Sequence, residues 1–151
     1  MNPGSRGRFR YDFAVYDSQG RLLTLLEVKR RFGTDPSWAR KWHATVVERM
    51  EQPADANVVL VAPDRIYAWS PGADASANPD WTFDASPWLA PYFARLKIPV
   101  REVDPHVFEE IVGLWLRDVV QGELPEGSDV GSAGDLLNAL RGGEVVQQVA
   151  A

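Results

Sequence analysis

The chain contains no cysteine. Disulfides, thiolate nucleophiles and cysteine-bound zinc are therefore excluded together. Only two histidines are present, His43 and His106, and neither has a histidine partner at metal-binding spacing, so both read as structural or surface residues. No run approaches the ~18 uninterrupted apolar residues of a membrane span. The first ten residues are polar and Gly/Arg-rich, which argues against a secretory signal. A cytoplasmic protein without membrane contact is the expectation. Equally missing are a Gly-rich phosphate loop, a Ser/His/Asp set, a dinucleotide fingerprint and any internal repeat.

What remains is ordinary in bulk and uneven in detail. With 151 residues, 45% hydrophobic and 25% charged, the chain fits one globular domain with a real core. The net charge of −5 argues against a generally basic nucleic-acid binder. Yet residues 1–52 hold ten Lys/Arg against six Asp/Glu, while residues 53–151 hold six against fifteen. A polyanion would approach the N-terminal third, where Arg8, Arg10, Arg30, Arg31, Arg40 and Lys41 are the candidate contacts. The competing reading is that these are solvated surface charges.

Residues 1–9 read as a flexible basic arm. Residues 11–16 and 22–30 read as strands joined by the turn Asp17-Ser18-Gln19-Gly20, making a β-hairpin. Gly33 and Asp35-Pro36 break the chain and start a helix, with Asp35 or Thr34 as N-cap. Trp38, Ala39, Trp42, Val46 and Met50 share one face of it. Strands follow at 57–62 and 65–69, then a long surface loop over 70–87 and a short helix over 87–96. Asp104-Pro105 caps a helix whose Phe108, Ile111, Val112, Trp115 and Val119 recur at helical spacing until Gly122. Residues 123–151 read as a linker and C-terminal tail with a possible small helix at 135–141. Of the six tryptophans, Trp38, Trp42 and Trp115 fit the core, and Trp81 and Trp88 fit partner contact.

The second strand is apolar on both faces, with Leu23 and Leu25 on one and Leu22, Leu26 and Val28 on the other. Glu27 and Lys29 interrupt the first of these near the strand's end. A carboxylate there costs several kcal/mol unless a cation or donors compensate it. If residues 18–21 form the loop, Tyr16 faces Leu23, Ala14 faces Leu25 and Asp12 faces Glu27. Two carboxylates so placed repel, and a divalent cation reverses that. Asp12, Glu27 and the Val28 carbonyl, with water, suit Mg²⁺ or Mn²⁺. A one-residue slip of register would destroy the site. Lys29 stands beside it in a chain that uses thirteen Arg and three Lys, favouring a compact amine over a generic positive charge. Glu-x-Lys alone arises by chance roughly once per ~250 residues, so an ordinary ion pair at the sheet end is the competing reading.

The segment from Arg10 to Asp17, followed by Glu27-Val28-Lys29, resembles the signature of the PD-(D/E)XK (restriction-endonuclease-like) superfamily. Further segments, Gly33-Thr34-Asp35-Pro36-Ser37-Trp38-Ala39, Pro63-Asp64-Arg65-Ile66-Tyr67-Ala68-Trp69, Pro91-Tyr92-Phe93 and Val112-Gly113-Leu114-Trp115-Leu116, resemble a bacterial group within it. The resemblance spans residues 10–122. It implies an α/β restriction-endonuclease-like core with a mixed sheet built on the hairpin and flanked by helices. It also implies a Mg²⁺- or Mn²⁺-dependent hydrolase of DNA (or RNA) phosphodiesters, endonuclease or exonuclease, with Asp12 and Glu27 on the metal and Lys29 beside the attacking water. Tyr11 occupies the place of the signature proline. Only eleven residues precede Asp12, so the family's opening helix and strand have no room there. Another copy of the chain, a partner or nothing at all would then supply them, and the exposed sheet edge predicts a homo-oligomer or a subunit of a larger complex. The alternative functions are a catalytically inactive nuclease-fold module that binds partners, or nucleic-acid binding without cleavage through the arginine arm.

Overall fold

The computed structural model describes residues 11–49, 55–124 and 134–147. The basic arm with Arg8 and Arg10, and Met50 on the first helix pattern, lie outside these residues. The hairpin consists of β1 (Phe13–Tyr16) and β2 (Leu22–Val28). Asp17 organises its turn: its Oδ1 accepts the N–H groups of Gln19 and Arg21, each at 2.8 Å. Ala14 pairs with Leu25 as expected, but Tyr16 pairs with Leu22 rather than Leu23 because a bulge shifts the register between Val15 and Tyr16. The bulge exchanges two side chains. Leu22 packs with Leu25, and Leu23 joins the opposite core with Leu26 and Val28.

Helix α1 (Pro36–Arg49) crosses over from β2 to β3 (Asn57–Val61), which runs parallel to β2. Asp35 is the N-cap, accepting the Trp38 N–H at 2.8 Å, an interaction worth about 1 kcal/mol. Thr34 instead bonds the Tyr67 hydroxyl. The buried face of α1 holds Ala39, Val46 and His43. His43 is 1% exposed and stacks on Trp69, ring centres 4.4 Å apart. Burial pushes its pKa down and keeps it neutral, so its role is packing.

β4 (Arg65–Trp69) returns antiparallel to β3, and β5 (Trp81–Asp84) pairs antiparallel with β4. β5 lies inside the segment expected to be loop. It is a four-residue edge strand amid Pro, Asp and Ser, too short for its alternation to stand out. Trp88, expected at a partner surface, is buried instead in α2 (Ser86–Leu96), between Phe83 and Trp115. Trp81 is half-buried on β5.

A 3-10 turn at Val100–Glu102 leads to α3 (Pro105–Gln121). The signals anticipated at its ends hold: Asp104 caps it by accepting the Val107 N–H at 2.8 Å, and Gly122 closes it at φ 70°. In the segment expected as linker and tail, the small helix anticipated at 135–141 forms as α4 (Gly134–Leu140), and part of the expected apolar tail forms a strand, β6 (Glu144–Gln147). Leu136, Leu137 and Leu140 enter the main core, and β6 pairs antiparallel with β1. The sheet order is β5-β4-β3-β2-β1-β6. Helix α1 covers one face; α2, α3 and α4 pack on the other. The strand beside β1 and a helix over it therefore come from the chain's own C-terminal part, not from a second copy or a partner. The open edge at β1 that suggested oligomerisation is closed.

One glycine sets how near α3 comes to β1. A Cβ at Gly113 would lie 3.0 Å from the Phe13 ring and 2.9 Å from the Arg117 guanidinium. Phe13 is fully buried and cannot yield. Gly113→Val is expected to destabilise the protein by about 2–3 kcal/mol, read as a lower urea midpoint with unchanged m-value. An unchanged midpoint would show that α3 is free to move.

Candidate functional site

The pairing of Phe13 with Leu26, carried one residue further, sets Asp12 opposite Glu27. Asp12 stands at a bend just before β1, and its Oδ2 accepts the Val28 N–H at 2.7 Å. Its side chain thus does at the end of the ladder what a main-chain carbonyl does within it. Glu27 is 7% exposed and hydrogen-bonded to Asp12. Burial first, then the hydrogen bond and charge of Asp12, push its pKa up to about 9; Lys29 and the Val28 N–H pull the other way. At neutral pH the pair holds a proton between its carboxyls. Tyr11 is buried beside them, and burial together with the charge of Glu27 raises its phenol.

A third carboxyl arrives from α3. Glu109 is half-buried and hydrogen-bonded to Asp12, and burial followed by Asp12 raises its pKa. Gln147 of β6 donates to its Oε2 at 3.2 Å, and His106 nearby favours its charged form. Gly113, one turn later on the helix, allows the close approach that delivers Glu109. Sequence reasoning missed this residue because an acid in the second turn of an amphipathic helix reads as ordinary surface. The small residue one turn on, in the middle of an apolar stripe, was the available signal.

The three carboxyls form a chain, Glu27 to Asp12 to Glu109, rather than a cage. Among the described residues, no three His, Cys, Asp or Glu side chains are arranged to hold a metal ion. The donor chemistry nonetheless fits a hard cation: every group is an oxygen acid, and burial with the neighbouring Asp12 shifts both Glu27 and Glu109 toward their protonated forms. A divalent ion that completes its shell with water can replace those protons. Val28 enters the site through its N–H, which donates to Asp12.

Lys29 is exposed, its N–H donating to the Val61 carbonyl at 2.9 Å, and its ammonium stands near enough to Glu27 to favour the ionised carboxylate. Asp12, Glu27 and Lys29 are thus brought together as the sequence suggested. The expected arginines are not all alike. Arg30 is engaged: its Nε donates to the Val103 carbonyl and one terminal nitrogen to the Arg101 carbonyl. Arg31 is exposed and lies over the Trp38 ring, 5.6 Å from its centre. Arg40 and Lys41 are exposed on α1, and no ion pair or hydrogen bond links them to the carboxyls among the described residues. His106 is an exposed residue 4.0 Å from Glu110. Among the described residues, no helix is long and apolar enough to cross a membrane. Compared with protein-family models, curated proteins and solved structures, the chain matches none of them.

Proposed function

We propose that this protein is a divalent-metal-dependent nuclease hydrolysing phosphodiester bonds of DNA, with RNA the lesser candidate. The observation that carries the reading is the buried Asp12–Glu27 pair, close enough to share a proton, with Lys29 beside it. Such a pair is held at a cost in stability, because apolar residues of similar volume would pack there without repulsion. Strongly perturbed acids clustered at one sheet end are what a reactive site requires.

In this reading the fold is a restriction-endonuclease-like core with its chain order rearranged. The hairpin carries the acids, α1 crosses over to the parallel β3, and α3 with β6 stands in for the opening helix and strand. Asp12 and Glu27, with the Val28 carbonyl, would hold Mg²⁺ or Mn²⁺. When bound, such an ion supplies Lewis-acid polarisation and a more acidic water. The chain's own residues do the rest. Asp12 is fixed by the Val28 N–H, Glu27 gives up its proton as the site fills, and the Lys29 ammonium orients the attacking water and offsets charge building on phosphorus. Glu109 steadies Asp12 from the helix side.

The second reading is an inactive nuclease-fold module that binds partners or other copies of itself. It is favoured because, among the described residues, no third ligand converges on the pair, and by the outer edges of β5 and β6, where Val146 is 41% exposed. The test is incubation with duplex and single-stranded DNA and RNA in Mg²⁺ or Mn²⁺. Cleavage that disappears in Asp12→Asn, with folding intact by circular dichroism, is the expected result. Intact substrates under every condition would discard the nuclease and leave the partner-binding module.

A further inference from the structure

Beyond the carboxyls, the 3-10 turn Val100–Glu102 carries a cation that the sequence reading did not include. Arg101 is exposed, with its guanidinium carbon 5.2 Å from the centre of the Phe32 ring. Arg30 stands 5.3 Å from the centre of the same ring. Two like charges thus share one aromatic ring, and neither has an ion pair among the described residues. The nearby acids do not relieve them. Asp104 is spent capping α3, and Glu102 is exposed without an ion pair among the described residues. Arg30 is also pinned. Its two hydrogen bonds to the carbonyls of Val103 and Arg101 tie the turn to the residue after Lys29. The turn is therefore fixed at the carboxyl end of β2, where Glu27 and Lys29 lie.

We infer that Arg101 is a nucleic-acid phosphate contact of the proposed site, with Arg30 as the positioning residue that holds its turn against the end of β2. An anion would meet two guanidiniums that no acid neutralises among the described residues, and a planar fork held over a ring keeps donors for phosphate oxygens. The inference rests on the nuclease reading, which is what brings a phosphodiester backbone to this end of the sheet.

Binding of fluorescent duplex and single-stranded DNA, measured by anisotropy in a chelator, tests it without cleavage. Arg101→Ala is expected to weaken binding about tenfold and to flatten the dependence of log K on log salt by roughly one. Arg101→Lys should restore the slope and part of the affinity. Unchanged affinity and slope in Arg101→Ala overturn the inference, as does wild-type protein that binds neither DNA at low salt. Cleavage in Mn²⁺, assayed separately with excess protein, keeps the two ideas apart: persistent cleavage alongside either of those results removes Arg101 and leaves the catalytic site standing. A preference for one DNA form identifies which phosphate backbone the turn meets.

Discussion

Glu27→Gln is expected to stabilise the metal-free protein by roughly 2–3 kcal/mol at pH 7. In the unfolded chain Glu27 ionises near its ordinary value, whereas in the fold it holds a proton up to about pH 9. Folding at neutral pH therefore takes up a proton. For a carboxyl raised in this way, the stability contribution is complete below about pH 4.5 and is lost progressively as pH climbs toward 9. Glutamine is neutral at every pH and can donate to Asp12 where the Glu27 proton did. The advantage of the variant should then be small at pH 5 and grow through pH 7 and 8, measured as urea midpoints in a chelator. A constant difference across that range would mean that Glu27 does not hold the proton. Divalent metal reverses the comparison. Mn²⁺ at a hundredfold excess over its dissociation constant should stabilise the wild type by about 2.7 kcal/mol and release protons, and the glutamine variant should respond much less. Equal responses in the two proteins would move the metal away from Glu27.

The parts of this site that were legible in the sequence are those whose chemistry is local. Turn residues 17–20, the alternation in β1 and the apolar run of β2 fix the hairpin, and its register follows from loop length. That placed Asp12 opposite Glu27 across a bulge that no local signal announces. The bulge did no harm because it falls at Tyr16, on the turn side, and the pairs beyond it keep their register. Glu109 and β6 were hidden for a different reason. Both reach β1 from the far end of the chain, and neither contact leaves a periodicity near Asp12. Val145 and Val146 were visible as apolar residues, but four residues alternating between half-buried and exposed do not distinguish an edge strand from a tail. The resemblance implied an opening strand and left open whether another copy, a partner or nothing supplies it; the strand beside β1 is β6, from the chain's own C-terminal part. His43 illustrates the converse: a polar residue at a buried helical position, accommodated by stacking on Trp69 rather than by a ligand.

Lys29→Ala is expected to lower metal-dependent cleavage by about 10³-fold, the scale for removing one preorganised charge from a transition state. The side chain is exposed, so the same change should alter folding stability by no more than about 0.5 kcal/mol. That contrast separates Lys29 from Glu27, whose substitution acts on stability and metal response together. DNA binding in a chelator should fall only as far as the loss of one cation requires. Lys29→Arg keeps the charge but replaces a compact, strongly hydrated ammonium with a wide planar fork that does not deprotonate. If the ammonium orients a water between Glu27 and the phosphate, arginine recovers no more than about tenfold of the loss. Full recovery by arginine would reduce Lys29 to a source of positive potential, and wild-type cleavage in Lys29→Ala would remove it from the chemistry altogether.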